Sequence, residues 1–188
     1  MNYQGSSAHP HPTRLSRRAF LRAAASGLVL LSPVQSLAFR AGRRSIALYN
    51  THMDRGLSVV YYEEGTYVPY ALDRVDELLA DHRTGEVHPI DPSLLDLLHD
   101  VKILTGSRAP FHVISGYRSP QTNALLRARN RRVAKHSLHM QGMAIDVRMT
   151  DVGTWRLRQT AVALGRGGVG YYARSGFVHL DVGPVRTW

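Results

Sequence analysis

The chain of 188 residues contains no cysteine. That absence excludes a disulfide framework, a thiolate metal site, a thiol nucleophile and a lipid anchor carried by cysteine. Long hydrophobic runs are also missing, because the apolar stretch from Ala23 to Leu31 is far shorter than the ~20 residues that span a bilayer. The chain is nevertheless 44% hydrophobic, which is enough to bury the core of one domain. Any chemistry must therefore come from histidine, carboxylate, hydroxyl or basic side chains.

The first 38 residues have the organisation of an export signal. Residues 16–22 read SRRAFLR, a twin-arginine pair followed by two bulky apolar residues. A mildly apolar stretch follows, and Ala38 and Ala41 are candidate cleavage points. This order predicts a twin-arginine (Tat) signal peptide over residues 1–38, a single domain over residues 39–188, and a periplasmic location. A basic amphipathic helix or a disordered arm is the alternative interpretation.

Positive charge is in excess, with a formal net charge of +10. Residues 1–38 hold arginines and no acidic residue, and the domain that remains after their removal is still basic. An exported basic protein meets anionic lipids and cell-wall polymers. No nucleic-acid-binding motif accompanies the charge, so a nucleic-acid partner is not expected. Stable membrane insertion after removal of the signal is not expected either, because the mature chain has no long apolar segment.

Strand and helix patterns alternate irregularly after residue 42. Turn signals separate short strands, which are predicted at 45–49, 57–62, 66–69 and 111–115. Apolar periodicity and cap residues predict four helices, at 73–83, from Asp91 to Gly106, after Ser119, and from 151 to 164. Because regular βαβ spacing is missing, we expect an α+β domain with a largely antiparallel sheet and flanking helices.

Two later segments bring together residues that can do chemistry. Residues 143–149 alternate in polarity, so Asp146 lies on the face opposite the apolar side chains. In residues 177–182 the same alternation places His179 away from the apolar face. A buried lone carboxylate is unfavourable unless something binds it. If the two strands are neighbours, Asp146 and His179 converge with His139.

Two histidines and one carboxylate are the ligand set of a catalytic zinc. Such ligands bind at about 2.0–2.2 Å and leave a fourth position for water. Zinc lowers the pKa of that water to about 7 and polarises a carbonyl group. Spacing alone leaves two ordinary roles open, because His139 can cap a helix and His179 can be a core histidine with satisfied hydrogen bonds.

The same residues resemble the zinc peptidases of the lysostaphin, D-Ala-D-Ala peptidase and hedgehog group. The likeness is carried by Ser137-x-His139-x-x-Gly142-x-Ala144-x-Asp146, followed by His179. It is closer to the YcbK-like murein endopeptidases, whose motifs resemble residues 81–86, 114–120, 167–172 and 177–181. The resemblance implies a hedgehog/D-Ala-D-Ala peptidase-like zinc fold and peptidoglycan peptide stems as substrate. It also implies one zinc per chain, held by His139, Asp146 and His179.

One departure from that family concerns the general base. Related peptidases carry an acid three residues, or a histidine two residues, before the last ligand, where this chain has Gly176 and Phe177. Asp181 shares the strand face of His179 and is the first candidate. Its alternative role is to accept the free ring N–H of a ligand histidine and fix its tautomer. His136 is a second candidate, for proton transfer or for stabilising the oxyanion.

Arg118 follows a predicted strand and precedes the cap at Ser119, so it projects from a strand end toward the expected cleft. A guanidinium there can clamp a peptide carboxylate or stabilise a tetrahedral oxyanion. A surface arginine paired with a nearby acid is the ordinary alternative. The resemblance favours contact with substrate.

These residues are compatible with three functions. A zinc endopeptidase that hydrolyses the peptide cross-links of murein is the first. A carboxypeptidase that trims terminal D-Ala uses the same site at a different end of the substrate. A non-catalytic wall-binding module is the third, because a zinc site without a clear base can persist as a structural element.

Overall fold

The structure, a computed structural model, describes Met1, residues 42–131 and residues 133–188. The predicted signal peptide therefore lies outside the described residues except for Met1. Within the described part, no helix combines the length and apolarity that a bilayer crossing requires. The strands are β1 Arg44–Asn50, β2 Arg55–Glu63, β3 Thr66–Tyr67, β4 Phe111–Ser115, β5 Ala144–Arg148, β6 Gly168–Tyr172, β7 Phe177–Asp181 and β8 Arg186–Thr187. The α-helices are α1 Pro69–Leu78, α2 Pro92–Thr105, α3 Pro120–Arg129 and α4 Thr154–Leu164.

The strands that the structure describes form one sheet in the order β3-β2-β1-β4-β5-β7-β6-β8. The expected α+β class is confirmed, but the expectation of a largely antiparallel sheet needs correction because the sheet is mixed. β1 pairs with β4, and β6 with β8, in parallel. The first parallel pair arises because two further strands and two helices intervene before β4 returns beside β1. The second arises because a turn at 182–185 reverses the chain and lays β8 on the far edge of β6.

One face of the sheet is covered by α2 and α4 and holds the core. The inward side chains of the central strands are buried: Ile46, Leu48, Phe111, Val113, Ile145, Val147, Val178 and Leu180. α2 contributes Leu94, Leu95, Leu98 and Val101 to the same cluster. Since successive residues of a strand point to opposite faces, Asp146, His179 and Asp181 are directed to the other face, as the alternation predicted.

The helix ends follow their cap residues closely. Asp91 accepts a hydrogen bond from the N–H of Ser93 at 2.9 Å and begins α2, and Gly106, with φ 68°, ends it. Ser119 caps α3 through the N–H of Thr122 at 3.2 Å. α1 differs, because it begins at Pro69 and ends at Leu78 instead of covering 73–83.

α4 begins at Thr154, later than predicted, because Asp151 has another role. Its carboxylate accepts hydrogen bonds from Ser107 Oγ and from the N–H groups of Arg108 and Ala109. The side chain therefore fixes the loop after α2 instead of capping a helix.

The turn at 81–86 supports the segment that carries Arg118. Asp81 is almost fully buried, and its carboxylate accepts hydrogen bonds from the N–H of Arg83 and the N–H of Ser119, both at 2.9 Å. Burial alone would raise the pKa of Asp81, but the hydrogen bonds from the start of α3 and from the turn outweigh it and hold that pKa well below its usual range. The ionised carboxylate thus joins this turn to the N-terminus of α3.

Candidate metal centre and active-site cleft

Strand register places the two strand-borne candidates directly opposite each other. Asp146 of β5 pairs with His179 of β7. Ser115 of β4 lies on the other side of Asp146, and Gly170 of β6 lies beyond His179, so the four residues form a row across the sheet. The convergence expected from sequence therefore occurs because β7 pairs with β5, although β6 lies between them along the chain.

His139 reaches the same row from a 3₁₀ helix, Leu138–Gln141, which ends at Gly142 with φ 67°. Its Nε2 lies 3.2 Å from Nδ1 of His179 and 3.4 Å from Oδ1 of Asp146. Nδ1 of His179 lies 2.9 Å from the same carboxylate oxygen. Three ligand-type atoms, one from each residue, thus form a compact triangle.

The outer hydrogen bonds of the two rings determine which nitrogen points into that triangle. Nδ1 of His139 lies 2.8 Å from the carbonyl oxygen of Gly116, which can only accept, so Nδ1 carries the proton. Nε2 of His179 lies 3.0 Å from a carboxylate oxygen of Asp181 and donates in the same way. In its neutral form, each ring therefore directs the lone pair of its other nitrogen toward Asp146.

Three converging lone pairs fit a metal ion. Ligands about 2.0–2.2 Å from a tetrahedral ion stand roughly 3.3–3.6 Å apart, close to the sides of this triangle. Among the described residues, His139, Asp146 and His179 are the only group of three or more metal-ligating side chains close enough to share an ion. The donor set and the spacing both suit a single divalent cation.

The electrostatics of the triangle favour an ionised carboxylate beside positive charge. Burial alone would raise the pKa of Asp146, but the adjacent imidazoles outweigh it and hold that pKa well below its usual range. Burial lowers the pKa of His179, whereas its hydrogen bonds to Asp146 and Asp181 more than compensate and raise it. The site therefore holds an anion that attracts a proton or a cation.

Asp181 lies behind His179 and is fully buried. One carboxylate oxygen accepts hydrogen bonds from the N–H groups of Gly168 at 3.0 Å and Gly183 at 2.9 Å. The other accepts from Nη2 of Arg186 at 2.7 Å and from Nε2 of His179. Burial opposes ionisation, but these donors lower the pKa of Asp181 to about 2. Asp181 thus contacts the ring nitrogen that faces away from the triangle.

The triangle opens into a cleft of about 570 Å³. Its lining residues are Arg118, Asn130, Val133, Ala134, His136, Ser137, Leu138, His139, Asp146, Tyr172, Phe177, His179, Arg186 and Trp188. His136 is exposed on this lining. The structure therefore brings five of the six predicted site residues to the cleft and leaves Asp181 beneath it.

Arg118 lies beside the triangle, next to Asp146. Its Nη2 is 3.9 Å from Oδ2 of Asp146 and 3.4 Å from Oγ of Ser115. Its backbone N–H donates to the carbonyl of His139 at 3.1 Å. Burial lowers the pKa of Arg118, and its Nε has no hydrogen-bond partner among the described residues. Because Arg118 also lines the cleft, its guanidinium can donate to a ligand there.

The sequence did not point to Arg186 and Trp188 as cleft residues. Both belong to or follow β8, a strand of two residues that is too short to show periodicity. The one available signal was the aromatic and basic character of the last residues.

A cleft in which two imidazoles and a carboxylate converge beside a guanidinium defines a candidate mononuclear metallohydrolase. The family model described as "Peptidoglycan L,D-endopeptidase MepK" matches residues 39–188. The chain therefore belongs to this family, and the predicted class, a murein endopeptidase, is confirmed.

Curated relatives agree with that assignment. The peptidoglycan L,D-endopeptidase MepK of Escherichia coli K12 is 39% identical over 145 residues, which cover 77% of this chain and 80% of the relative. The probable peptidoglycan L,D-endopeptidase MepK of Haemophilus influenzae is 40% identical over 146 residues, covering 77% and 78%. No solved structure gives a significant match.

Proposed function

We propose that this protein is a zinc-dependent endopeptidase that hydrolyses L,D-peptide bonds in the cross-links of periplasmic peptidoglycan. The observation that supports the metal requirement is the triangle of three ligand-type atoms, with sides of 2.9–3.4 Å. The peptidoglycan substrate is supported by family membership, and the L,D bond is supported by the activity for which the relatives are named.

His139, Asp146 and His179 would hold the ion. The carbonyl of Gly116 and the carboxylate of Asp181 keep the two rings in the required tautomers, because each accepts the outer ring N–H. When bound, zinc supplies Lewis-acid chemistry, polarising the scissile carbonyl and lowering the pKa of a water to about 7.

Arg118 acts on the substrate oxygen. Its guanidinium lines the cleft beside Asp146, where it can donate hydrogen bonds to the oxyanion that develops on the scissile carbonyl or to a substrate carboxylate. A donor fixed in a low-dielectric site stabilises developing charge without reorganisation.

For Asp181 we favour the orienting role over that of base. Its oxygens are occupied by four hydrogen-bonding residues, and its contact with His179 is on the outer nitrogen. A base must reach the proton that it removes. We therefore assign the proton transfer to His136, which is exposed on the cleft lining.

Digestion of purified sacculi tests this function. Conversion of cross-linked dimers to monomers is the expected result, and His139→Ala is the inactive control. Release of free D-Ala indicates a carboxypeptidase, and retention on sacculi without products indicates a binding module. Purified dimers refine the test, because a bond between two diaminopimelates joins an L to a D centre, whereas a bond from D-Ala to diaminopimelate joins two D centres. Cleavage of only the second kind would contradict the L,D assignment.

A further inference from the structure

An aromatic wall stands beside the metal triangle on the side of the cleft formed by β6, β7 and the end of the chain. Tyr172 and Phe177 stack with ring centroids 4.6 Å apart. The indole of Trp188 joins them, because its Nε1 donates to the hydroxyl of Tyr172 at 3.0 Å. All three side chains line the cleft.

The position of Trp188 is built into the backbone. Its N–H donates to the carbonyl of Val169, and its carbonyl accepts from the N–H of Tyr171, so the residue extends the pairing of β8 with β6. The ring lies directly over Gly170, where an added Cβ would approach the indole to 2.6 Å. Glycine at this position therefore provides the space that the indole occupies.

The wall adjoins the reacting centre and remains open to solvent. The ring centroid of Trp188 is 5.2 Å from that of His179, which is less than the span of two extended peptide residues. About half of the Trp188 surface is exposed, at 48%. The guanidinium of Arg186 lies 5.1 Å from the indole centroid and is itself held by Asp181. The indole is thus ordered on one side and available on the other.

We propose that Trp188, with Tyr172 and Phe177, forms the subsite that packs against the methylene chain of the diamino-acid residue flanking the scissile bond. An aromatic face buries methylene groups well, and its closeness to His179 limits the occupant to a residue next to the hydrolysed bond. Sugar rings do not fit this placement, because they lie at the other end of the peptide stem. The inference rests on the proposed function and specifies its substrate contact.

The chain contains two tryptophans, and this allows a binding readout that is independent of hydrolysis. The other one, Trp155, lies on α4 against Tyr171, whose side chain points away from the cleft face of β6. In Trp155→Phe the fluorescence comes from Trp188 alone, and in Trp188→Phe it comes from Trp155 alone. The probe is a product peptide ending in diaminopimelate, which the enzyme does not cleave further.

Titration with this peptide is expected to change the emission of Trp155→Phe and to leave that of Trp188→Phe unchanged. A matched peptide with alanine in place of diaminopimelate should bind roughly 10–100-fold more weakly, the usual value of a few methylene contacts in a pocket. An equal response to both peptides, or a response only from Trp155, would overturn the proposal.

Kinetics provides the second arm. Trp188→Ala and Gly170→Ala should both raise KM about 10-fold or more with a smaller change in kcat and with full metal content, because the first removes the ring and the second displaces it. Trp155→Ala is the control and should behave as the unmodified enzyme. An unchanged KM in Trp188→Ala while sacculi are digested would overturn the subsite alone. Failure of the unmodified enzyme to digest sacculi would instead overturn the proposed function.

Discussion

The carboxylate of Asp181 accepts a hydrogen bond from Nε2 of His179 at 3.0 Å, on the edge of the ring that points away from Asp146. This contact decides which nitrogen of His179 is free to bind a metal, because a ring that donates through Nε2 has its lone pair on Nδ1. The contact also bears on the two roles that the sequence left open for Asp181, general base and orienting residue. A side chain behind the ring can orient the ligand histidine, but it does not reach a water molecule at the metal.

Asp181→Asn tests the orienting role. The amide oxygen can still accept from His179, but the negative charge that strengthens the ligand is lost, so metal affinity is expected to fall ~10–100-fold. Activity at saturating zinc should then recover most of its original value. A deficit of ~10²–10⁴-fold that persists at saturating zinc would instead identify Asp181 as the general base.

His139→Ala and His179→Ala test the ligand set. The purified protein should carry about one zinc per chain, and either variant should lose it because two remaining ligands hold the ion weakly. Metal analysis after dialysis is the measurement. His136→Ala is the matched control and should keep its zinc, while its turnover falls because the proton-transferring group is lost. Full zinc in both ligand variants would contradict the assignment.

Arg118→Lys tests the stabilisation of the oxyanion. Lysine keeps the charge but not the planar fork of donors, and kcat/KM is expected to fall ~10²–10³-fold. Zinc content should remain unchanged because no ligand is altered. Arg129→Lys, at the exposed end of α3, is the control for the same substitution. Near-normal turnover in Arg118→Lys would show that charge alone suffices.

Asp81 predicts a pH dependence of stability. Its folded pKa lies below the unfolded value of about 3.9, so its contribution is present at neutral pH and is lost as the pH falls below about 4. Asp81→Asn should lower the free energy of unfolding by ~1–3 kcal/mol at pH 7, because its amide group meets backbone donors. The difference from the unmodified protein should shrink at low pH. Asp73→Asn, at an exposed position, should change little in the same denaturation experiments.

Export through the Tat route is tested by replacing both Arg17 and Arg18 with lysine. The precursor is expected to stay in the cytoplasm, because the twin-arginine pair is the recognised feature of such signals. Cell fractionation with detection of the protein is the measurement. Normal arrival of the double variant in the periplasm would contradict the twin-arginine route.

Local sequence patterns were enough to predict most of the candidate site. Alternation along residues 143–149 and 177–182 placed Asp146 and His179 on a common face, and the structure sets them directly opposite each other. Long-range pairing was beyond such reasoning. The parallel pairs of β1 with β4 and of β6 with β8 depend on where distant segments return, which neither propensity nor periodicity encodes.

The contribution of β8 to the cleft could not be predicted either, because it too depends on long-range strand pairing. Arg186 and Trp188 reach the cleft only because a short strand adds to the edge of β6. Asp91 and Ser119, by contrast, were predictable as helix caps because their effect extends over only a few residues.

The turn after His139 limits how this enzyme can change by mutation. Gly142 has a φ of 67°, its carbonyl accepts from the N–H of Asp91, and a Cβ there would come within 2.1 Å of the carbonyl oxygen of Pro89. Even alanine would force the two segments apart and carry His139 away from the triangle. Divergent or engineered variants can therefore change the side chains that line the cleft. Gly142 itself cannot be replaced without moving the backbone that carries His139.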